Sequence, residues 1–224
     1  MLLTEAIKNC TSTIKKRRAT IESKQHAETY AKALEQLIHT TGSIQSTIDC
    51  AVVMKEKGIV STPLIDVLTR NELLACINDC GNGVSEMQLT LETVKLLKSK
   101  GDAIATQIKI VWRDEAEKYS DGPKGYLSMI GGLSDDPNRA KHLTDSITQT
   151  VAGNPSIKAI NSLISYVAEA KQIIDQFSLS PEIEDFLKRV SSQRATVLDL
   201  TPNIMAWLKE KNLTGKLKIR FKIR

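Results

Sequence analysis

The sequence predicts a mainly α-helical protein, in which long antiparallel, coiled-coil-like helices form a hairpin or bundle. Isoleucine and leucine recur every seven residues along two long segments, which is the spacing of helices that pack along their length. Aromatic residues make up only 4% of the chain, a low fraction for a β-sandwich or a ligand pocket. A small strand–helix–strand element is predicted at the C-terminus.

The composition is that of a folded protein whose excess positive charge is confined to one end. Hydrophobic residues account for 41% of the 224 residues and charged residues for 25%, as in ordinary globular domains. The net charge is +5, and residues 216–224 contain five bases and no acid. Without those five, the 31 Lys and Arg residues are reduced to the number of the 26 acids. Charge that is so localised favours an acidic partner or phosphates.

The start of the chain and its cysteines predict a cytoplasmic protein. Met1 is followed within a few residues by Thr4 and Glu5 instead of by the apolar segment of a signal peptide. The apolar run at residues 50–54, which no other run in the chain exceeds, is too short to cross a bilayer, so no membrane contact is expected. A chain of this size forms a core without disulfides, and its four cysteines are therefore predicted to be reduced.

A first long helix is predicted from about Leu2 to Met54. Its first part carries isoleucine at seven-residue spacing, and after residue 26 a second heptad line takes over. The first line consists of Ile7, Ile14 and Ile21, and the second of Tyr30, Leu37, Ile44 and Ala51. Glycine within residues 41–43 is a weak point at which the helix either breaks or continues.

A second long helix is predicted from about Ser85 to Tyr119, and its length allows antiparallel pairing with the first. Leu97, Ile104 and Val111 lie on one of its heptad lines. Glycine, proline and aspartate then predict a loop. The predicted organisation is a helical hairpin or coiled-coil region at residues 1–119, a loop at 120–137 and a second helical region at 138–224.

Three helices and a short β element are predicted after this loop. The helices fall near residues 138–152, 156–178 and 181–194. Ser180 and Pro181 form a typical helix cap followed by proline at the first helical position. Residues 195–200 are rich in β-forming side chains, and Thr201 and Pro202 cap a further helix, which carries Trp207. Residues 216–224 alternate strictly between basic and apolar side chains, the pattern of a half-buried strand.

The basic C-terminal segment, residues 216–224, is the main candidate for partner binding. As a strand it places five cations on one face and apolar side chains, including Phe221, on the other. The cations are Lys216, Lys218, Arg220, Lys222 and Arg224. Its backbone must pair either with residues 196–200 or with a sheet edge of another protein. An ordinary edge strand, whose bases prevent aggregation, explains the pattern equally well.

Two further features are candidate contacts. Trp207 lies among apolar residues on the helix before the basic segment. It either anchors the C-terminal element to the helical body or forms the centre of a docking surface. A basic run on the first helix is a candidate nucleic-acid contact, although a solvated helix face explains it as well. The run consists of Lys15, Lys16, Arg17 and Arg18.

No residue pattern points to catalysis, a metal or a cofactor. Cys76 and Cys80 are one helical turn apart, but a zinc site needs a second pair, so buried structural thiols are predicted. Neither an HExxH pair nor a P-loop is present. We interpret the chain as a non-enzymatic helical scaffold or adaptor subunit that binds other proteins or itself. The alternative is an accessory protein that holds nucleic-acid phosphates through the C-terminal segment and the basic run.

Overall fold

The structure, a computed structural model, describes the backbone of residues 2–217 and the side chains of residues 22–217. The described residues form seven α-helices and one short 3-10 helix, and none of them belongs to a β-strand. The mainly α fold class is therefore confirmed. In chain order the helices are α1 (Leu2–Glu56), α2 (Val67–Ser85), α3 (Leu91–Ile130), α4 (Pro137–Ala152), α5 (Ile157–Asp175), α6 (Pro181–Ser191), the 3-10 helix (Val197–Asp199) and α7 (Pro202–Glu210).

The prediction of a strand at residues 195–200 is wrong, because this segment folds back on itself. The Asp199 carboxylate accepts hydrogen bonds from the backbone N–H of Thr196 at 2.7 Å and from its hydroxyl at 2.9 Å. These bonds close the 3-10 helix and occupy groups that a β-ladder would need. They also hold the pKa of Asp199 below its ordinary value. Lys216 lies in a turn, and residues 218–224 lie outside the described residues.

The loop predicted at 120–137 is confined to residues 131–136, because α3 continues to Ile130. Pro123 removes one helical hydrogen bond but does not end the helix. The buried side of α3 continues past the glycines and the proline, and this burial outweighs their low helix propensity. Its fully buried residues in this region are Trp112, Ala116, Ser120, Leu127 and Ile130.

Helix α1 is unbroken through the weak point at residues 41–43. Its 55 residues span about 80 Å at 1.5 Å per residue. Every residue from 22 to 29 is exposed, and burial begins at Tyr30 and Ala33. Residues 22–29 of α1 are therefore exposed to solvent, whereas its later turns contribute to a core.

The chain divides into two compact units. The first contains Met1–Val52 and Thr62–Ile108, and the second contains Val53–Ser61 and Lys109–Arg224. Helices α1 and α3 contribute residues to both units.

In the first unit, α1 meets both α2 and α3. The Tyr30 hydroxyl donates a hydrogen bond to the Val84 carbonyl at 3.1 Å, which fixes α1 against the end of α2. Gly101 of α3 lies so close to Ile44 of α1 that a Cβ atom at Gly101 would come within 2.6 Å of the isoleucine Cγ1. A heptad position on α3 is therefore filled by the partner helix instead of by its own side chain.

In the second unit, α4 packs against α5 and α6 packs against α7. One apolar cluster joins the end of α3 to the last two helices through Ile130, Phe186 and Trp207. A second cluster joins Leu127 of α3 to α4 and α5. The core of this unit is thus shared among helices that are distant in sequence.

The helices of the second unit begin at the caps that their sequence predicts. The Ser180 hydroxyl accepts a hydrogen bond from the Ile183 N–H, and Thr201 does the same for Ile204. Proline follows each cap at the first helical turn. The predicted starts of these helices are therefore confirmed.

Replacing Gly101 by alanine tests the close approach of α1 and α3. We expect the free energy of unfolding to fall by about 1 kcal/mol, because overpacking against Ile44 outweighs the gain in helix propensity. Gly42→Ala is the matched control, since open space surrounds Gly42 on its helix. Chemical denaturation should show that this control is unchanged or up to about 1 kcal/mol more stable. Equal stability gains in both variants would contradict the packing.

Candidate functional site

Helix α2 presents an uncharged surface on the side opposite its core. Its buried side carries Leu73, Cys76 and Cys80, all at most 6% exposed. At 100° per residue, the opposite side is formed by residues that are all exposed. We call this side the α2 surface; it consists of Val67, Leu68, Asn71, Leu74, Ala75, Asn78, Gly81 and Asn82.

The α2 surface is apolar where a surface helix usually carries charge. Val67 is 75% exposed, Leu68 70% and Leu74 45%. Ile77, at 38%, lies at its edge. The charged residues of α2 flank this surface. One of them, Glu72, forms a salt bridge with Lys100 of α3 at 2.6 Å. A solvated face with this many large apolar side chains and no charge is typical of a binding surface.

The exposed apolar residues are concentrated in the first unit. Eight of the twelve large hydrophobic residues that are exposed among the described side chains belong to it, although the second unit is longer. Besides those on α2, the eight include Ile38 and Val52 of α1, Met87, and Leu96 of α3. Exposed large hydrophobic residues are therefore more frequent in the first unit, although the second unit also has four of them.

The first turn of α2, which carries Val67 and Leu68, begins earlier than the sequence predicts. For residues 58–72 the sequence predicts a connection and a short helix, with a further helix from about Asn71, whereas α2 begins at Val67. The Asp66 carboxylate caps it by accepting hydrogen bonds from the backbone N–H and the hydroxyl of Thr69 at 2.8 and 2.6 Å. The same bonds lower the pKa of Asp66. An aspartate three residues before a threonine was the signal for this start.

The first residue of the basic C-terminal segment, Lys216, binds to the loop between α3 and α4 in the second unit; we call Lys216 and Leu217 the root of the segment. Its ammonium group donates hydrogen bonds to the carbonyls of Leu133 and Ser134 at 2.8 and 3.1 Å, and it contacts the Asp135 carboxylate at 3.0 Å. Leu217 packs against the adjoining apolar cluster. The first cation of the segment is therefore occupied within the chain and holds the loop between α3 and α4.

Trp207 occupies the core of the second unit. It is 5% exposed, and its indole N–H donates a 2.7 Å hydrogen bond to the Phe177 carbonyl at the end of α5. Buried tryptophan of this kind fixes the position of its helix. The placement agrees with the anchoring role of Trp207, while a docking role would require its ring to be reached from the surface.

Helix α7, which precedes the basic segment, is also tied to α6 by polar contacts. Glu182 accepts a 2.5 Å hydrogen bond from the Thr201 hydroxyl and a 3.1 Å bond from the Asn203 amide. Both bonds favour the ionised carboxylate and lower the pKa of Glu182, the Thr201 bond having the larger effect. The contribution of these contacts to stability is complete above the ordinary pKa and is lost as pH falls through the lowered one.

Several candidate residues lie outside the described part of the chain. Within the basic segment these are Lys218, Arg220, Phe221, Lys222 and Arg224. The basic run of Lys15, Lys16, Arg17 and Arg18 lies on α1, but its side chains are outside the described set.

The cysteines of α2 are buried, as the sequence predicts. Cys76 and Cys80 are free thiols, and burial is the main cause that raises the pKa of Cys80. Among residues 22–217, no group of three or more His, Cys, Asp or Glu side chains is arranged to hold a metal ion. No helix in the described part of the chain is both long and apolar enough to span a bilayer.

Comparison with known proteins gives no assignment. The sequence matches no protein-family model, and neither a curated protein nor a solved structure is significantly similar to it. The functional interpretation therefore depends on the surfaces of the molecule itself.

Replacing Lys216 by methionine tests the root of the basic segment. We expect a loss of about 1 kcal/mol in the free energy of unfolding, because two carbonyls and a carboxylate lose a charged donor in a partly solvated place. Hydrogen exchange in residues 131–136 should become faster. Lys171→Met, at an exposed position of α5, is the control and should change neither quantity. Unchanged exchange in the Lys216 variant would show that the contact does not hold the loop.

Proposed function

We propose that this protein is a non-enzymatic helical scaffold or adaptor subunit of a multiprotein complex. The observation that carries the proposal is the α2 surface, which combines three exposed large aliphatic side chains with the absence of charge. The proposal assigns this surface to a partner helix and the basic C-terminal segment to a second, electrostatic contact.

Burial energetics support the first contact. Removing apolar surface from water contributes roughly 25 cal/mol per Å², and full burial of one Val or Leu side chain contributes about 1.5–3 kcal/mol. Val67, Leu68 and Leu74 are each exposed by more than a third. A partner that covers all three gains several times the thermal energy from apolar burial alone, with no desolvation of charge to offset it.

The first part of α1 supports a scaffold role in a different way. In proteins most of the stability of a helix comes from the packing of one of its faces. Residues 22–29 are helical and exposed all round. The heptad spacing of Ile7, Ile14 and Ile21 in the sequence just before them is the pattern of a helix that pairs with another. We assign this part of α1 to a coiled-coil contact.

The basic segment supports a contact with an acidic partner. Lys216 fixes its root, so the four bases that follow are presented from a defined point of the second unit. Alternation of bases with apolar residues suits addition to a sheet edge, where the backbone provides affinity and the charges provide selectivity.

A second candidate function is nucleic-acid binding through phosphates. Its support is the concentration of the entire net charge in residues 216–224. The remainder of the chain is neutral, whereas proteins dedicated to nucleic acids usually carry an extended basic surface. We therefore place it second.

The α2 contact is tested by Leu74→Glu in the full-length protein. We expect the wild type to retain a defined set of proteins from its source extract and the variant to lose part of that set, because a charge replaces an apolar contact. Leu198→Glu is the matched control, since Leu198 is 93% exposed but lies in the second unit. It should behave as the wild type. Identical sets for all three proteins would contradict the assignment of α2.

Removal of residues 218–224 separates the two candidate functions. This truncation keeps Lys216 and Leu217, so thermal stability should be unchanged. Binding to duplex DNA should be weak for the full-length protein and insensitive to the truncation if the segment contacts an acidic protein. A steep fall in DNA affinity with salt, with a slope reduced by about 0.9 for each phosphate contact removed by the truncation, would instead establish the nucleic-acid function.

A further inference from the structure

We infer that the occupant of the α2 surface is the α2 surface of a second copy of this chain, in an antiparallel arrangement. This inference rests on the proposed function and names the partner of its apolar contact. It makes the protein a homodimer whose two α2 helices run in opposite directions across a twofold axis.

The absence of charge on the α2 surface favours a second copy of this chain as its partner. The α2 surface contains no acidic or basic residue, so it offers nothing to attract an acidic or a basic protein. Two identical uncharged surfaces meet without repulsion or charge desolvation. The centres of protein interfaces are generally depleted of charge, and homodimer interfaces are more apolar than others.

Side-chain size favours the antiparallel direction. The bulky residues of the surface lie in its first half, at Val67 and Leu68, and Gly81 lies in the second half. A Cβ atom at Gly81 would have no neighbour within 4 Å, so that end of the helix is open to close approach. An antiparallel pair sets each bulky end against the open end of the other copy. A parallel pair would set valine on valine and leave a gap between the glycines.

The polar residues of the surface fit the same arrangement. With the twofold axis near Leu74 and Ala75, Asn71 lies opposite the partner subunit's Asn78. Amide side chains can donate and accept, so two such pairs satisfy each other across the axis. Asparagine within an apolar helix contact fixes register, as in coiled coils. Opposed helix dipoles also favour the antiparallel direction.

The size of the contact sets the expected strength. One helix of 19 residues on each side buries less area than a standard interface of roughly 1,600 Å². The dimer should therefore be reversible, with a dissociation constant on the order of 1–100 μM at neutral pH. Contacts from residues that flank the α2 surface would lower the dissociation constant toward the tighter end of this range.

Sedimentation velocity of the full-length protein across a concentration series tests the inference. We expect the mass to rise from monomer to dimer, and Leu74→Glu to weaken the dimer by about tenfold or more. Gly81→Leu is the sharper variant. It fills open space within the monomer and has higher helix propensity, so its thermal midpoint should be unchanged or higher. It also adds an exposed apolar group, yet it should weaken the dimer because it fills the space that the partner's Val67 needs.

Disulfide trapping tests the direction of the helices. Under mild oxidation, Leu74→Cys should form a covalent dimer, because this position lies at the axis. Val67→Cys should give no more covalent dimer than the wild type. The wild type is oxidised in parallel because its own cysteines could also form disulfides. Equal trapping of both variants would establish a parallel pair and overturn the arrangement.

The remaining outcomes are distinguishable from failure of the proposed function. If the wild type stays monomeric at all concentrations, or if Leu74→Glu and Gly81→Leu dimerise as strongly as the wild type, the self-pairing is wrong. In that case retention of other proteins by the wild type and their loss with Leu74→Glu would still support the scaffold function. Loss of the dimer on removal of residues 1–29, with no effect of Leu74→Glu, would assign self-association to α1 instead.

Discussion

The fold depends on one constraint, which is the continuous burial of one side of α3. This helix supplies Leu97 and Ile104 to the first unit and Leu127 and Ile130 to the second, each at most 1% exposed. Within each unit its buried positions recur mostly at intervals of three and four residues, so they lie on one side of that part of the helix. Both cores therefore include residues of α3, and the second unit would lose Leu127 and Ile130 from its core if α3 ended before them.

This constraint explains which parts of the fold could be predicted from sequence. Caps are local, since Ser180 and Thr201 need only an N–H three residues ahead, and those helix starts were predicted correctly. The continuation of α3 through Pro123 is not local. The gain that overrides proline and glycine comes from burial of Leu127 and Ile130 against helices later in the chain. Sequence periodicity could have shown the apolar positions but not the helices that cover them.

The same reasoning applies to the candidate surfaces. The localisation of charge in residues 216–224 was evident from composition, but the role of Lys216 was not. Its partners are carbonyls of residues more than 80 positions away, and carbonyls have no sequence signature. The apolar α2 surface was missed for another reason. An exposed leucine and a buried leucine look identical in a sequence, and Leu73 and Leu74 differ only in which side of α2 they occupy.

The two proposed contacts differ in their physical basis, and this difference would give the proposed scaffold two independent controls. A basic segment acts through charge, so its attraction is screened beyond about 8 Å at physiological ionic strength and weakens as salt rises. The α2 surface acts through apolar burial, which salt leaves intact and which sulfate or phosphate salts strengthen. A complex held by both contacts would lose one partner at high salt while keeping the other. Since the α2 surface has no charge and the basic segment has no acid, neither contact can substitute for the other. A change in ionic strength would therefore remove one partner from the proposed complex before the whole complex dissociates.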